Sequence, residues 1–423
     1  MTAPSEHASG SAWTGHGPAG DVTLEDVEGG LAAVAGLHFA ARAVGVRDSA
    51  HRDPSAPDLA LLDVGRAVPA AIVTTTNRVR AAPCIVGVEH VAAGPIRAVI
   101  VNSGNANACT GAQGLVDARA MTLAVGEALG CAAQAVVPMS TGVIGVPLPV
   151  DRITGGVPDL VGALRSDGAA AAELARAMMT TDTRPKQVAV RVHAQDRSAI
   201  VAGVAKGAGM IEPAMATMLS VIVTDAELDA PMAADVLREV ADRTFNRISV
   251  DSCGSTNDTV VLLATGTAGP MPRAAIVAAV EEVAARLAHD IVTDGEGVTR
   301  VARLRVAGAV DTAMAAALGR AVAASALFRT ALHGSDPNWG RILAAMGTTD
   351  APFDPERVEV RFGPVTVCQD GGAVPYDHDA AVAVLRESEV AIDVDLHLGD
   401  AEAVFLVADL SAGYVHVNAE YTT

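Results

Sequence analysis

Two stretches of this chain, "TMLSVIVTDA" (217–226) and "VVLLATG" (260–266), are apolar almost throughout rather than at alternate positions. Strands of this kind are stable only when covered on both faces, so the chain must build a sheet with packing above and below it. The rest alternates in keeping with that demand. "IRAVIVN" (96–102) reads as a strand rich in β-branched residues, stopped by the turn-forming "SGNANACTG". Leu115, Ala118, Met121, Val125 and Leu129 recur at helical spacing, as do Ile276, Val280, Val283 and Leu287, predicting one buried face each. "RVEVRFG" and "EVAIDVDLHLG" have period two, with a further helix at "DAAVAVLRESE". Nothing repeats at a fixed period. The pattern predicts an α+β architecture with helices covering sheets, and leaves the topology open.

Composition narrows the class. The 423 residues suffice for two or three domains, and with only 3% aromatic residues the cores must be filled by Ala, Val and Leu. No apolar run reaches the roughly 20 residues a membrane span needs. Residues 1–24 have neither a basic start nor an apolar middle and read as a disordered leader, not a secretory signal. The formal charge of −19 excludes the positive field that nucleic acid or an anionic membrane surface requires. Cys84, Cys109, Cys131, Cys253 and Cys368 are scattered and odd in number, which points to reduced thiols in a cytoplasm. Neither Cys nor His shows metal-ligand spacing, so no metal site is expected.

Chemistry gathers around "KGAGMIEPAMATMLSVIVTDA" (206–226). A threonine in an apolar strand usually serves β-propensity. Thr217, however, stands where a Pro-containing loop becomes strand, downstream of Gly207, Gly209 and a lysine, Lys206, set among apolar neighbours where its pKa can fall. A hydroxyl alone is a poor nucleophile. Scission just before Thr217 would free its own α-amine, whose ordinary pKa of about 7.7–8.0 suits a general base. An oxyanion site is best sought in "PMSTGVIGVP", with Thr141 and Gly142. Taken singly, that string, "MMTTDTRPK" and "DGEGVTR" are each equally readable as ordinary turns or caps.

Together the strings are specific. "NSGNANACTG", "STGVIG", "MMTTDTRPKQ", "AKGAGMIEPAMATML", "RTFNRISVDS…STNDT", "DGEG", "HGSDPNWGRI" and "GYVHVNAEYTT" occur in one order. The series resembles the glutamate N-acetyltransferase (ornithine acetyltransferase) family of arginine biosynthesis, from about Leu31 to Thr423. The resemblance implies an α/β/β/α sandwich that looks like, but is threaded differently from, the N-terminal-nucleophile hydrolases, with a smaller C-terminal α/β portion. It implies self-cleavage between Ala216 and Thr217, giving an α chain (25–216 after the leader) and a β chain (217–423), two of each in the assembly. The implied activity is ping-pong transfer of acetyl from N2-acetyl-L-ornithine to L-glutamate through an acetyl-threonine, without a cofactor. Acetyl-coenzyme A is a further possible donor.

By the same resemblance Thr217 is the nucleophile, and Thr141 and Gly142 the oxyanion pair. Substrate contacts fall on Lys206, Thr217, Glu296, Asn418, Thr423 and one threonine of "MTTDT": Thr180 is preferred, with Thr181 and Thr183 in competition. The base for the first cleavage is Lys206 or a bound water. The sequence departs from the family at "SCGSTNDT", where an acidic, Thr-containing run is more usual, and by a small insertion at 49–57. Three other readings compete: an N-terminal-threonine amidase or aminopeptidase, a paralogue serving another acceptor in secondary metabolism, and a non-catalytic scaffold derived from an enzyme.

Overall fold

The computed structural model describes residues 21–47, 55–212 and 218–420. The leader to residue 20, residues 49–54 of the expected insertion, the expected cleavage pair Ala216 and Thr217, and Thr423 lie outside the described residues. Strands are numbered along the chain. A six-stranded sheet runs in the order β1 (Thr23–Asp26), β7 (Lys186–Ala194), β8 (Arg197–Lys206), β9 (Leu219–Glu227), β11 (Thr259–Pro270) and β4 (Ala70–Thr74). A four-stranded sheet runs β2 (His38–Arg42), β3 (Leu59–Val68), β5 (Ile96–Asn105) and β6 (Val136–Val143). Thr23 and Leu24, assigned above to the leader, are already part of β1, which pairs antiparallel with β7 and so earns backbone hydrogen bonds a free leader lacks.

The two sheets pack face to face. Leu62, Val99, Val101, Val137 and Met139 from the smaller sheet meet Ala202, Val204, Leu219, Val221, Val223 and Val261 from the larger in one core. Beneath the smaller sheet, Leu61, Ile100 and Val136 pack with helices Gly111–Leu129 and Val150–Gly162 through Met121, Val125, Ile153 and Val157. Beneath the larger, Val201, Ile222, Val260 and Leu262 meet helices Ala230–Arg243 and Arg273–Thr293. The order of layers is therefore α/β/β/α. β9 shows why its sequence lacks alternation: Leu219, Val221 and Val223 face the partner sheet while Ile222 faces the helices. Both faces are dry.

A third sheet builds the C-terminal portion in the order β10 (Ile248–Ser249), β17 (Ala401–Ala408), β12 (Val301–Ala309), β16 (Glu389–Asp395), β13 (Glu359–Phe362), β14 (Val365–Gln369) and β15 (Gly372–Ala373). In β16 the burial alternates, as period two predicts. Helix Arg273–Thr293 departs from its predicted single stripe. Ile276, Val280, Val283 and Leu287 are buried against the sandwich, but the opposite face is covered too, since Leu406 and Ala408 of β17 join the same core. Close approach is possible because Gly203 of β8 has no side chain: a Cβ there would lie 2.8 Å from Leu287 Cδ1 and from Val283 Cγ1. Leu287→Ala should cost about 2–5 kcal/mol of stability, read as a lowered denaturation midpoint in urea at unchanged slope.

Candidate active site

The site lies where the two facing sheets end. β6 delivers Thr141 and Gly142 at its C-terminal tip, and β8 delivers Lys206 as its last residue. Gly142 has φ 131 and passes so close to Gly104 of β5 that a Cβ would fall inside that backbone, so no other residue fits here. Lys206 pairs with Leu219 at the start of β9, and Leu219 pairs in turn with Thr259 of β11. The chain two residues beyond the expected cleavage pair is thus set beside Lys206 by strand register. A cavity of about 200 Å³ opens here, lined by Thr141, Gly142, Thr180, Thr181, Lys206, Asp251, Ser255, Glu296, Tyr414 and Asn418, among others.

Lys206 is 2% exposed. Its Nζ donates to Thr180 Oγ1 at 2.7 Å and to Thr141 Oγ1 at 3.1 Å. Because Thr141 Oγ1 accepts from the lysine, its own proton is free to be donated into the cavity. Burial pushes the Lys206 pKa below the usual lysine value, and Asp182 opposes that fall. Burial alone would raise the Asp182 carboxyl, but Lys206 and Lys186 outweigh it and hold the group well below the usual carboxylate range.

Behind these residues is a buried charge cluster. Lys186 Nζ donates to Asp182 Oδ1 at 2.7 Å and to Asp294 Oδ2 at 2.5 Å, all three side chains being almost wholly removed from solvent. Asp182 also accepts the Gly207 and Thr180 N–H groups at 2.6 and 3.0 Å, so it fixes both the end of β8 and the loop bearing Thr180. That loop follows helix Gly168–Met178, whose terminal carbonyls of Ala177 and Met179 accept from Arg47 Nη2. Thr183 is spent on Asp294 through both N–H and hydroxyl. Of the three competing threonines, Thr180 is the one bonded to Lys206, Thr181 lines the cavity, and Thr183 is turned to the cluster behind.

The far wall comes from the second half of the chain. Glu296, in the turn after helix Arg273–Thr293, accepts Asn418 Nδ2 at 2.8 Å from the C-terminal helix Ala412–Glu420. Gly209 lets that carboxylate approach, since a Cβ there would lie 2.6 Å from its atoms. Tyr414 donates its hydroxyl to Asp251 Oδ2 at 3.3 Å. Burial raises both the Asp251 carboxyl and the Tyr414 phenol.

The structure therefore brings Thr141, Gly142, Thr180, Lys206, Glu296 and Asn418 into one cavity. The sequence reading gave no role to Asp182, Lys186, Asp251, Asn257, Asp258, Asp294 or Tyr414. A signal was present for Asp182 in "TTDT" and for Asn257 and Asp258 in "STNDT", polar runs that adjoin apolar segments, but not for the other four. Among the described residues no cluster of three His, Cys, Asp or Glu side chains could hold a metal ion, and no single helix is long and apolar enough to cross a membrane. None of the five cysteines is in a disulfide.

The layers, and a polar cavity at the point where their strands end, define an α/β/β/α sandwich of the expected kind. The ArgJ family profile matches residues 38–423, and the chain belongs to that family. The arginine biosynthesis bifunctional protein ArgJ of Symbiobacterium thermophilum is 43% identical over 407 residues, 95% of this chain and 100% of the relative. Its counterpart in Geobacter sulfurreducens is 46% identical over 384 residues, covering 89% and 97%. A solved chain of Mycobacterium tuberculosis ornithine acetyltransferase complexed with ornithine is 36% identical, covering 46% of this chain and all of that one, at a TM-score of 0.41.

Lys186→Met removes the shared partner of two buried carboxylates and should cost about 3–5 kcal/mol in urea denaturation. Arg119→Ala, which breaks an exposed pair with Glu89 at 2.8 Å, should cost no more than about 1 kcal/mol. Equal losses for the two variants would refute a buried cluster whose charges compensate one another.

Proposed function

We propose that this chain cuts itself between Ala216 and Thr217 and then transfers acetyl from N2-acetyl-L-ornithine to L-glutamate, with Thr217 as the nucleophile. Two α chains (25–216) and two β chains (217–423) associate in the mature enzyme, in the cytoplasm. One observation carries the reading: Lys206, Thr141 and Gly142 meet at the mouth of the strand that begins beside Thr217. The names of the relatives supply the reaction; the site supplies suitable chemistry for it.

In self-cleavage, Thr217 Oγ attacks the Ala216 carbonyl while its proton passes to a base. The C–N bond breaks, the former amide nitrogen takes up a proton, and an ester remains. Water then hydrolyses the ester, leaving the Ala216 carboxylate and a free Thr217 amine and hydroxyl. Lys206 suits the first base, because burial favours its neutral form. In turnover the freed amine takes the hydroxyl proton as Oγ attacks the acetyl carbon. Thr141 O–H and the Gly142 N–H hold the oxyanion, the C–N bond breaks with proton return to ornithine, and acetyl stays on Oγ. The glutamate amine then attacks that ester and regenerates the hydroxyl. Loss of one oxyanion donor typically costs about 3–4 kcal/mol in the barrier.

Charge assigns the substrate ends. Lys206 suits an α-carboxylate, and Glu296, held by Asn418, suits the ornithine side-chain amine, with Thr180, Thr217 and Thr423 as the remaining contacts. The relatives' names print the word bifunctional, which fits a second activity; with acetyl-coenzyme A as the second donor, mixing it with the protein and glutamate should release free thiol.

Thr217→Ala should run as one uncleaved, inactive chain on a denaturing gel; two fragments from it would end the proposal. Wild-type protein mixed with acetyl-ornithine and glutamate should yield acetyl-glutamate, whereas free acetate alone would make it an amidase. The rate of self-cleavage should rise with pH, because the base is the neutral amine. Its midpoint should fall below the ordinary lysine pKa, as the burial of Lys206 dictates. Lys206→Met should slow that step by about 10²–10⁴-fold.

A further inference from the structure

The loop 251–258 makes three separate grips that none of the roles above uses. Its first residue, Asp251, holds the chain upstream of the cleavage pair: Oδ2 accepts the Met210 N–H at 2.5 Å and Oδ1 accepts the Ile211 N–H at 2.7 Å. Ile211 O in turn accepts the N–H groups of Val250 and Asp251. Met210 is kept at φ 57, a left-handed conformation that costs a side-chain-bearing residue roughly 1–2 kcal/mol and needs such a restraint. The loop's last residue, Asp258, holds the chain downstream. Its Oδ1 accepts the Met218 N–H at 3.1 Å, and Thr259 N donates to Met218 O at 3.1 Å. Met218 directly follows Thr217 and is fixed on both sides of its own peptide unit.

The third grip reaches the opposite sheet. Asn257 Nδ2 donates to Ser140 O at 2.8 Å and to Ala106 O at 2.6 Å. Ser140 directly precedes Thr141. Two adjacent residues, Asn257 and Asp258, thus tie the strand carrying Thr141 and Gly142 to Met218, which leads into β9.

Asp258 is fully buried, and its Oδ2 has no hydrogen-bond partner among the described residues. The Thr75 hydroxyl stands near the carboxyl but donates to Ser255 O at 2.6 Å. Burial pushes the carboxyl well above the usual carboxylate range. An asparagine has the same shape, and its Oδ1 can still accept from the Met218 N–H.

We propose that the loop 251–258 is a clamp on the self-cleaving segment, and that Asp258 is a positioning residue for Thr217 in both self-cleavage and acetyl transfer. This rests on the proposed function. Asp251 restrains the side that becomes the end of the α chain; Asp258 restrains the side that becomes the new N-terminus. The upstream grip therefore matters to cleavage, and the downstream grip to cleavage and turnover alike. A displacement of about 1 Å at a reacting atom can cost about 10²-fold in rate.

The test uses the full-length chain with Asp258→Asn, Asp258→Ala and Asp251→Ala beside wild type, following cleavage on a denaturing gel and kcat and KM for acetyl transfer. Far-ultraviolet circular dichroism and the thermal midpoint report folding. Asp258→Asn should cleave and turn over within about tenfold of wild type. Asp258→Ala should fold but cleave about 10²-fold more slowly, and its matured fraction should lose kcat with KM nearly unchanged. Asp251→Ala should slow cleavage as well. Wild-type rates of cleavage in Asp258→Ala would overturn the inference. So would an Asp258→Asn protein that cleaves about 10²-fold more slowly than wild type, since the group would then act through its charge or proton and not as an acceptor for Met218; that comparison with wild type holds even should the alanine variant not fold. Absence of cleavage in the wild type would instead sink the proposed function itself.

Discussion

A lysine ammonium carried into the end of a buried strand is the feature on which the rest of the site depends. Lys206 is stable there because Asp182 lies 3.9 Å away and two threonine hydroxyls accept its protons. Asp182 is stable in turn because Lys186 and two backbone N–H groups share its charge. Removing any one of these leaves a charge stranded in a low-dielectric interior, which is far more costly than never having placed it there. The cluster spends folding stability on holding one amine at a chosen place with a lowered affinity for protons. Structural ion pairs at a surface would not need that arrangement.

The sandwich gives this lysine its surroundings. Strands of two facing sheets end at one level, so residues from β6 and β8 meet although 65 positions separate Thr141 from Lys206. The third sheet presses helix Arg273–Thr293 against the back of the sandwich, and the turn after that helix carries Glu296 forward to the cavity. The C-terminal helix closes the far wall through Asn418 and Tyr414. Residues before and after the proposed cleavage pair line the one cavity. Long-range strand pairing joins the two stretches independently of the peptide bond between them, so the proposed break would leave that pairing in place.

Much of the architecture was legible where one local rule dominated. The β9 run lacks alternation because both faces are dry, and β16 alternates because one face is not. Gly142 within "STGVIG" was legible as a residue needing a glycine's freedom, and the structure places it in the cavity wall beside Gly104, an approach that no side chain permits. Helix Arg273–Thr293 was only half legible. Its stripe marked the face toward the six-stranded sheet, while the charged residues Glu281, Glu282 and Asp290, which suggest solvent, are buried, Glu281 paired with Arg243 and Asp290 with Arg184. Tertiary cover overrode the amphipathic pattern.

The amino-acid sequence by itself determined the succession of strands and helices, the presence of a double-covered sheet, and the inventory of hydroxyls, amines and glycines at its turns. Those properties depend on residues a few positions apart, and local sterics and periodicity suffice for them. Only the tertiary structure decided that Thr180 and not Thr183 meets Lys206, that Asp182 is shared between two lysines, and that Asn257 and Asp258 join the two sheets at the cavity. Such choices depend on desolvation and on distances between segments far apart in the chain, and neither quantity exists until the layers close.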